Sequence, residues 1–125
     1  MVGVRFLKMA AVYFVIGVLI GMGMSMSHNY TLTGVHVHIN LLGWASMGLA
    51  GIVYYLFPQA GESKLGKTHF WLHNIGLPVM MIGLTLLLLG NAAVEPVIAV
   101  GGTVTTLAII LFAINIFLNV KVTKQ

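Results

Sequence analysis

Four long stretches of the chain are predominantly apolar and contain no charged side chain. They cover residues 9–26, 35–57, 70–89 and 97–118 of the 125-residue sequence. A transmembrane helix needs about 20 such residues, and the stretches are joined by short connections rich in Gly, Pro, Asn or Ser, which favour turns. The pattern predicts an all-α membrane protein whose four transmembrane helices form a single domain over residues 1–125.

The amino-acid composition excludes two other classes of protein. Apolar residues make up 59% of the chain and charged residues only 6%. A soluble globular domain contains about 25% charged residues, and a disordered chain is more polar still. The absence of cysteine excludes disulfides and thiolate metal ligands. Membrane lipid is therefore the expected surrounding, and a net charge of +4 spread over separate positions does not indicate a nucleic-acid partner.

The basic residues predict how the helices are oriented in the membrane. If successive helices alternate in direction, the N-terminus, the connection at residues 58–68 and the C-terminus share one side. Lys and Arg favour the cytoplasmic side of a membrane. Both termini are therefore expected in the cytoplasm, with the chain in the inner (cell) membrane. The basic residues on this side are Arg5, Lys8, Lys64, Lys67, Lys121 and Lys124.

An alternative interpretation treats the first apolar stretch as a cleavable signal peptide. Arg5 and Lys8 precede an apolar segment that ends near Ser25 and Ser27, which is the order found in secretory signals. The apolar segment is longer than a usual signal core, which favours a retained helix. N-terminal sequencing of the mature protein distinguishes these two interpretations.

Five histidines are the most informative polar residues, because polar side chains inside a bilayer are costly and usually functional. His28, His36 and His38 are expected near the outer face. His69 and His73 lie at the predicted cytoplasmic start of the third helix. The two groups are separated by about 30 Å of bilayer, so a single cofactor in one subunit cannot join them.

His36 and His38 are expected to point to opposite flanks of the second helix. A step of two residues rotates the side chain by roughly 200° around a helix axis. Such a pair suits a helix wedged between two flat cofactors. Imidazole is an established axial ligand of haem iron, and clefts between helices hold such cofactors. The alternative is a pair of interfacial histidines hydrogen-bonded to loop carbonyls.

The residues around this pair resemble those of a known family, subunit I of the haem-copper oxidases. In that family, the tenth helix opens with a His-x-His pair and ends in Trp-Phe-Pro or a similar sequence. The eleventh helix starts with a His-Phe pair. The matching residues are the segment GVHVHINL at 34–41, then Gly48, Gly51, Tyr54, Tyr55, Phe57, Pro58, Thr68, His69, Phe70 and Gly76.

This resemblance implies a function and an assembly. The family protein has twelve helices in three arcs of four, so this chain looks like a single arc and a homotrimer is expected. His36 and His38 would each bind the iron of one haem b between neighbouring protomers, and Asn40 and Asn91 would contact the porphyrin edge. The expected function is that of a membrane cytochrome that transfers electrons or binds a diatomic gas (O2 or NO), with an unidentified electron donor and acceptor.

The departures from the family pattern argue against a proton-pumping oxidase. No copper site of three histidines with a neighbouring tyrosine is recognisable, and the outer arginine pair that meets haem propionates is missing. The only acids are Glu62 and Glu95, and neither lies well inside a predicted span. The carboxylate relay of a proton pump is therefore not expected.

A second hypothesis is a copper-binding membrane carrier or channel. Met22, Met24, Met26 and His28 alternate at the outer end of the first helix, and thioethers with imidazole suit Cu(I). On a regular helix Met22 and Met26 face away from Met24 and His28, so they converge only if that end unwinds. A third hypothesis is a structural subunit with no cofactor.

Two further pairs are expected to be structural. His69 and His73 share a helix face and have a spacing that can chelate a metal, but Phe70 and Trp71 beside them favour a place in the interfacial belt. Gly17 and Gly21 form a GxxxG pair, which permits close helix packing. In the fourth helix, hydrogen bonds to the backbone or across helices are expected of Thr103, Thr105, Thr106 and Asn115.

Overall fold

The protein is a bundle of four long apolar helices, seen in a computed structural model that describes residues 1–122. Within these residues there is no β-strand. The basic residue Lys124 lies outside the described range. The elements are α1 (Val2–Ser27), α2 (Thr33–His38), a π-helical segment (Ile39–Ala45), α3 (Ser46–Leu56), α4 (Pro58–Gly61), α5 (Lys64–Leu88), a 3-10 turn (Ala92–Val94) and α6 (Glu95–Asn119).

The predicted four helices are confirmed, with extensions at their ends. The helices long and apolar enough to cross a membrane are Val2–Ser27, Thr33–Leu56, Lys64–Leu88 and Ala92–Asn119. We call Thr33–Leu56 the second span. The extensions at the starts of α1 and α5 contain Arg5, Lys8, Lys64 and Lys67, which a helix end tolerates because their stems cover apolar surface while the charged ends stay in water. The chain is thus a multi-pass membrane protein by helix length and composition.

The connection predicted over residues 58–68 is largely helical. Pro58 begins α4, a position where its fixed φ and missing N–H do no harm. Ser63 caps α5 because its hydroxyl accepts a hydrogen bond from the Gly66 N–H at 3.0 Å. The chain therefore reverses between the second and third membrane helices within a few residues.

Glycines bring the helices close together in two antiparallel pairs. Along α1 and the second span, Gly43 faces the Tyr13 ring and Gly51 faces Leu7. Along α5 and α6, Gly76 faces Thr105 and Gly83 faces Ile98. Without a hydrophobic driving force in lipid, such close approach of small residues is what holds membrane helices together.

The apolar interior of the bundle also encloses several polar side chains. Leu19, Leu49, Ile82 and Phe117 are among the many large apolar side chains that are exposed on the outside, where lipid would cover them. Three of the most deeply buried large side chains are instead polar. The fully buried large side chains are Tyr54, Phe6, Met47, Leu77, His69, His73 and Asn115.

The two ends of the bundle differ in charge. α1 and α5 begin at one end and α6 finishes there, so basic side chains collect at this end. We call it the basic end. The α1–α2 and α5–α6 connections form the opposite end, which lies nearer to His36 and His38. The basic residues described at the basic end are Arg5, Lys8, Lys64, Lys67 and Lys121.

Candidate functional site

The second span changes its helical geometry directly after His38. The π-helical segment Ile39–Ala45 separates α2 from α3, and such wider turns occur often at functional sites. Two backbone carbonyl oxygens of this segment have side-chain partners. The Ser46 hydroxyl donates a hydrogen bond to the Leu41 oxygen at 2.7 Å, and His73 Nε2 lies 2.9 Å from the Leu42 oxygen. The segment that follows the two histidines is thereby held by its neighbours.

His36 is half-buried against α1. Its Nδ1 lies 2.7 Å from the Gly17 carbonyl oxygen, and because a carbonyl only accepts, Nδ1 carries the proton and donates. A Cβ atom added at Gly21 would lie 2.7 Å from His36 Cε1. The imidazole therefore occupies the space above the GxxxG pair, and its Nε2 keeps a free lone pair.

His38 faces a different flank of the same helix. Its Nδ1 donates to the Gly34 carbonyl oxygen at 2.7 Å, which again leaves the lone pair on Nε2. The exposed ring lines a groove of about 580 Å³ between the second span and α5 and α6. The groove is also lined by Leu42, Met80, Leu107, Ile109 and the threonines at 103, 105 and 106.

The two rings thus meet different neighbours, as the helical rotation requires. His36 packs on α1, whereas His38 borders the groove beside α5 and α6. A single metal ion is not shared between them in this arrangement. Each imidazole is available to a separate partner.

Asn40 and Asn91, the predicted contacts of the porphyrin edge, have local hydrogen bonds. The Asn40 amide donates to the His36 carbonyl oxygen at 3.0 Å, and its side chain fills the space over Gly17. The Asn91 side chain accepts from the Ala93 N–H at 3.1 Å and so caps the 3-10 turn. The structure brings Asn40 to the His36 flank and leaves Asn91 exposed in the α5–α6 connection.

The predicted copper ligands do not converge within one chain. The outer end of α1 stays helical through its last turn, so Met22 is 57% exposed and Met26 77% exposed. Met24 is instead buried, and its sulfur lies 3.9 Å from the Thr33 hydroxyl. His28 is an exposed left-handed residue at the helix end. Residues 1–122 contain no group of three or more His, Asp or Glu side chains that could hold a metal ion.

His69 and His73, which the sequence placed in the interfacial belt, have side chains that are buried inside the bundle and do not face lipid. Each side chain is only 1% exposed, because their shared helix face points into the bundle. His73 donates from Nε2 to the Leu42 carbonyl oxygen, so its Nδ1 accepts from His69 Nε2 at 3.1 Å. His69 Nδ1 in turn accepts from the Tyr54 hydroxyl at 2.9 Å. One carbonyl thus sets the direction of the whole chain of hydrogen bonds.

Asn115 extends this network toward the basic end, and it bonds across helices as the sequence predicts. Its amide nitrogen donates to the Tyr54 oxygen at 3.2 Å and to the Ala60 carbonyl oxygen at 2.9 Å. Its amide oxygen accepts from the Ser63 hydroxyl at 3.1 Å. The signal in the sequence is the presence of Tyr54 and Asn115 within apolar stretches, although their pairing is not visible there.

Replacing Tyr54 by phenylalanine should destabilise the bundle. The change removes the donor to His69 Nδ1 and one acceptor of the Asn115 amide. We expect a loss of about 1–2 kcal/mol, seen as a lower melting temperature of the protein in detergent micelles. Tyr55→Phe is the matched control, because Tyr55 is exposed. Equal melting temperatures for the two variants would show that the network adds no stability.

Comparisons with known proteins do not assign this chain to a family. No protein-family model, no curated protein and no solved structure matches it.

Proposed function

We propose that this protein is a haem-b-binding membrane cytochrome with His36 and His38 as axial ligands. The observation that supports the proposal is the state of the two rings: each holds its Nδ1–H on a backbone carbonyl, and each has a free lone pair on Nε2. Histidines that bind metals almost always donate their other ring N–H in this way, which orients the ring and makes it a better ligand.

The groove beside His38 suits a flat apolar macrocycle. Its volume of about 580 Å³ falls within the range of about 300–1,000 Å³ typical of ligand pockets. The hydroxyls of Thr103, Thr105 and Thr106 are bonded to carbonyls of their own helix, at 2.7, 2.8 and 2.8 Å respectively. Because these hydroxyls already have partners, an apolar ligand leaves no threonine donor unpaired in the wall.

Under this proposal, the haem that His36 binds would lie between this chain and a second protomer. In this chain His36 packs against α1, away from the groove that His38 lines. In a homotrimer resembling the twelve-helix oxidase subunit, His36 of one protomer would meet a haem that His38 of the next protomer also binds. The many exposed apolar side chains leave ample surface for such contacts. The haem would supply the redox-active iron, and the two imidazoles would hold and orient it.

We propose that the chain lies in the inner (cell) membrane and that its basic end faces the cytoplasm. Arg5, Lys8, Lys64 and Lys67 lie at this end, and such residues are retained on the cytoplasmic side. Both acids lie close to helix ends, Glu62 after α4 and Glu95 at the start of α6. We therefore propose electron transfer or binding of O2 or NO, without proton pumping.

The visible spectrum of the purified protein tests this function. We expect a Soret band and iron without copper. A reduced spectrum that carbon monoxide leaves unchanged would indicate two axial histidines and electron transfer, whereas a shift would indicate an open position for a gas. Copper without iron would favour the carrier that uses Met22, Met24, Met26 and His28. Absence of both metals would refute the cytochrome and leave a structural subunit.

Replacing Gly21 by alanine should weaken haem binding through His36. The added methyl group would lie 2.7 Å from His36 Cε1, so the ring must move. Displacing a group that orients a ligand costs about 10-fold or more in affinity. The haem-to-protein ratio after purification measures the effect. Gly23→Ala is the control, because nothing lies within 4 Å of a Cβ at that position. Equal haem content in the two variants would contradict the placement of His36.

A further inference from the structure

We propose that a cavity at the basic end binds the phosphate group of an anionic glycerophospholipid such as phosphatidylglycerol. The cavity has a volume of about 330 Å³ and lies where α1, α5 and the α4–α5 connection meet. This site is separate from the histidine groove, and it does not depend on the proposed haem. The residues that line it are Met1, Val2, Arg5, Glu62, Lys67, Phe70 and Trp71.

Two cations from different helices converge on the cavity. Arg5 comes from α1 and Lys67 from the first turns of α5, and both side chains are exposed. A phosphodiester has several acceptor oxygens, and Arg and Lys are the residues that recognise it. Basic pockets between membrane helices at the headgroup level are known to hold anionic lipid headgroups.

Glu62 limits the charge that the cavity can accept. Its carboxylate accepts a hydrogen bond from the Val2 N–H at 2.9 Å. This bond holds the pKa of Glu62 below its ordinary value, and the charges of Lys67 and Arg5 act in the same direction. The two cationic side chains outnumber the one carboxylate, and the α-amino group of Met1 adds a further positive charge, so the cavity is net positive. A lipid phosphodiester, with one negative charge, reduces this excess.

The same carboxylate favours a headgroup that donates hydrogen bonds. The glycerol headgroup of phosphatidylglycerol carries hydroxyls that can donate to a carboxylate, whereas the choline headgroup has no N–H or O–H. Phosphatidylethanolamine has donors, but as a zwitterion it leaves the net positive charge in place. The chemistry therefore selects an anionic lipid with a hydroxylated headgroup.

An aromatic side chain places the cavity at the membrane surface. Trp71 is 58% exposed and packs edge-on against Phe70, with ring centroids 5.5 Å apart. Tryptophan concentrates at the level of lipid headgroups. The occupant is therefore expected to be a lipid whose acyl chains run along the apolar exterior, rather than a free phosphate from water.

Lipid titration of the whole chain in detergent micelles tests the site. Native mass spectrometry counts bound lipid for phosphatidylglycerol, phosphatidylcholine and phosphatidylethanolamine with identical acyl chains. We expect tight binding of phosphatidylglycerol alone, and a loss of about tenfold or more in its affinity when Arg5→Gln and Lys67→Gln are combined. The matched control combines Lys8→Gln and Lys64→Gln, which removes the same charge from the same two helices outside the cavity. Its affinity should stay within about twofold of the wild type.

Several results would overturn the proposal. Equal binding of phosphatidylcholine or phosphatidylethanolamine would show that the site does not distinguish between headgroups. An equal loss in the control pair would show a response to net charge only. Competition by millimolar inorganic phosphate would indicate a site for free anions. Because both side chains are exposed, the variants should keep their helix content. If helix content falls, the charge-preserving pair Arg5→Lys with Lys67→Arg is tested instead. Loss of lipid binding in that pair, with helix content unchanged, would contradict a phosphate site formed by two cations.

Discussion

Replacing His38 by alanine is expected to remove most of the haem from the purified protein. His38 contributes the Nε2 lone pair that borders the groove between the second span and α5 and α6. Without it, a haem bound as proposed would keep only apolar contacts in the groove and the imidazole on its other side. We expect the Soret absorbance per protein to fall by about tenfold or more. A gentle purification, with haem measured against protein, gives the ratio.

His36→Ala tests His36 as the second axial ligand. Loss of the second axial ligand should either release the haem or leave five-coordinate iron that binds carbon monoxide. His28→Ala is the control, because His28 is an exposed residue at the end of α1. Haem that is retained with an unchanged spectrum in both the His36 and the His38 variants would mean that other residues bind the iron.

Replacing Gly101 by alanine should produce the largest loss of stability among the glycines that lie at the contact between α5 and α6. A Cβ at Gly101 would overlap with the backbone nitrogen of Met80. Backbone atoms cannot rotate away as the end of a side chain can, so the two helices must separate. Overpacking of this kind costs about 3 kcal/mol. The melting temperature in detergent micelles should fall accordingly.

The neighbouring glycine provides a matched control. A Cβ at Gly102 would meet only the flexible end of Met80, with its sulfur at 3.4 Å. Alanine favours the helix over glycine by up to about 1 kcal/mol, so Gly102→Ala should be neutral or stabilising. If Gly101→Ala were equally harmless, the close contact between α5 and α6 would be wrong.

The architecture was predictable from the sequence to within the ends of its helices. The apolar stretches located all four membrane helices, whereas the starts of α1 at Val2 and of α5 at Lys64 were placed too late. The prediction relied on apolarity, and charged residues at a helix end do not interrupt helical hydrogen bonds. The opposite directions of His36 and His38 also followed from helical geometry, because both lie within α2.

The interior of the bundle was less predictable. His69 and His73 were assigned to the membrane interface from their position beside Phe70 and Trp71, yet both are buried in a network with Tyr54. The π-helical segment after His38 had no sequence signal. The haem, copper and trimer hypotheses remain predictions.

The sequence by itself determined the class of protein and the number of helices, because a bilayer leaves each membrane segment to satisfy its backbone hydrogen bonds locally. Only the tertiary structure decided which polar groups meet inside the bundle. The bonds from His73 to Leu42 and from Asn115 to Tyr54 join residues 31 and 61 positions apart. Such partners depend on how whole helices pack against one another, and local spacing along the chain carries no record of that packing.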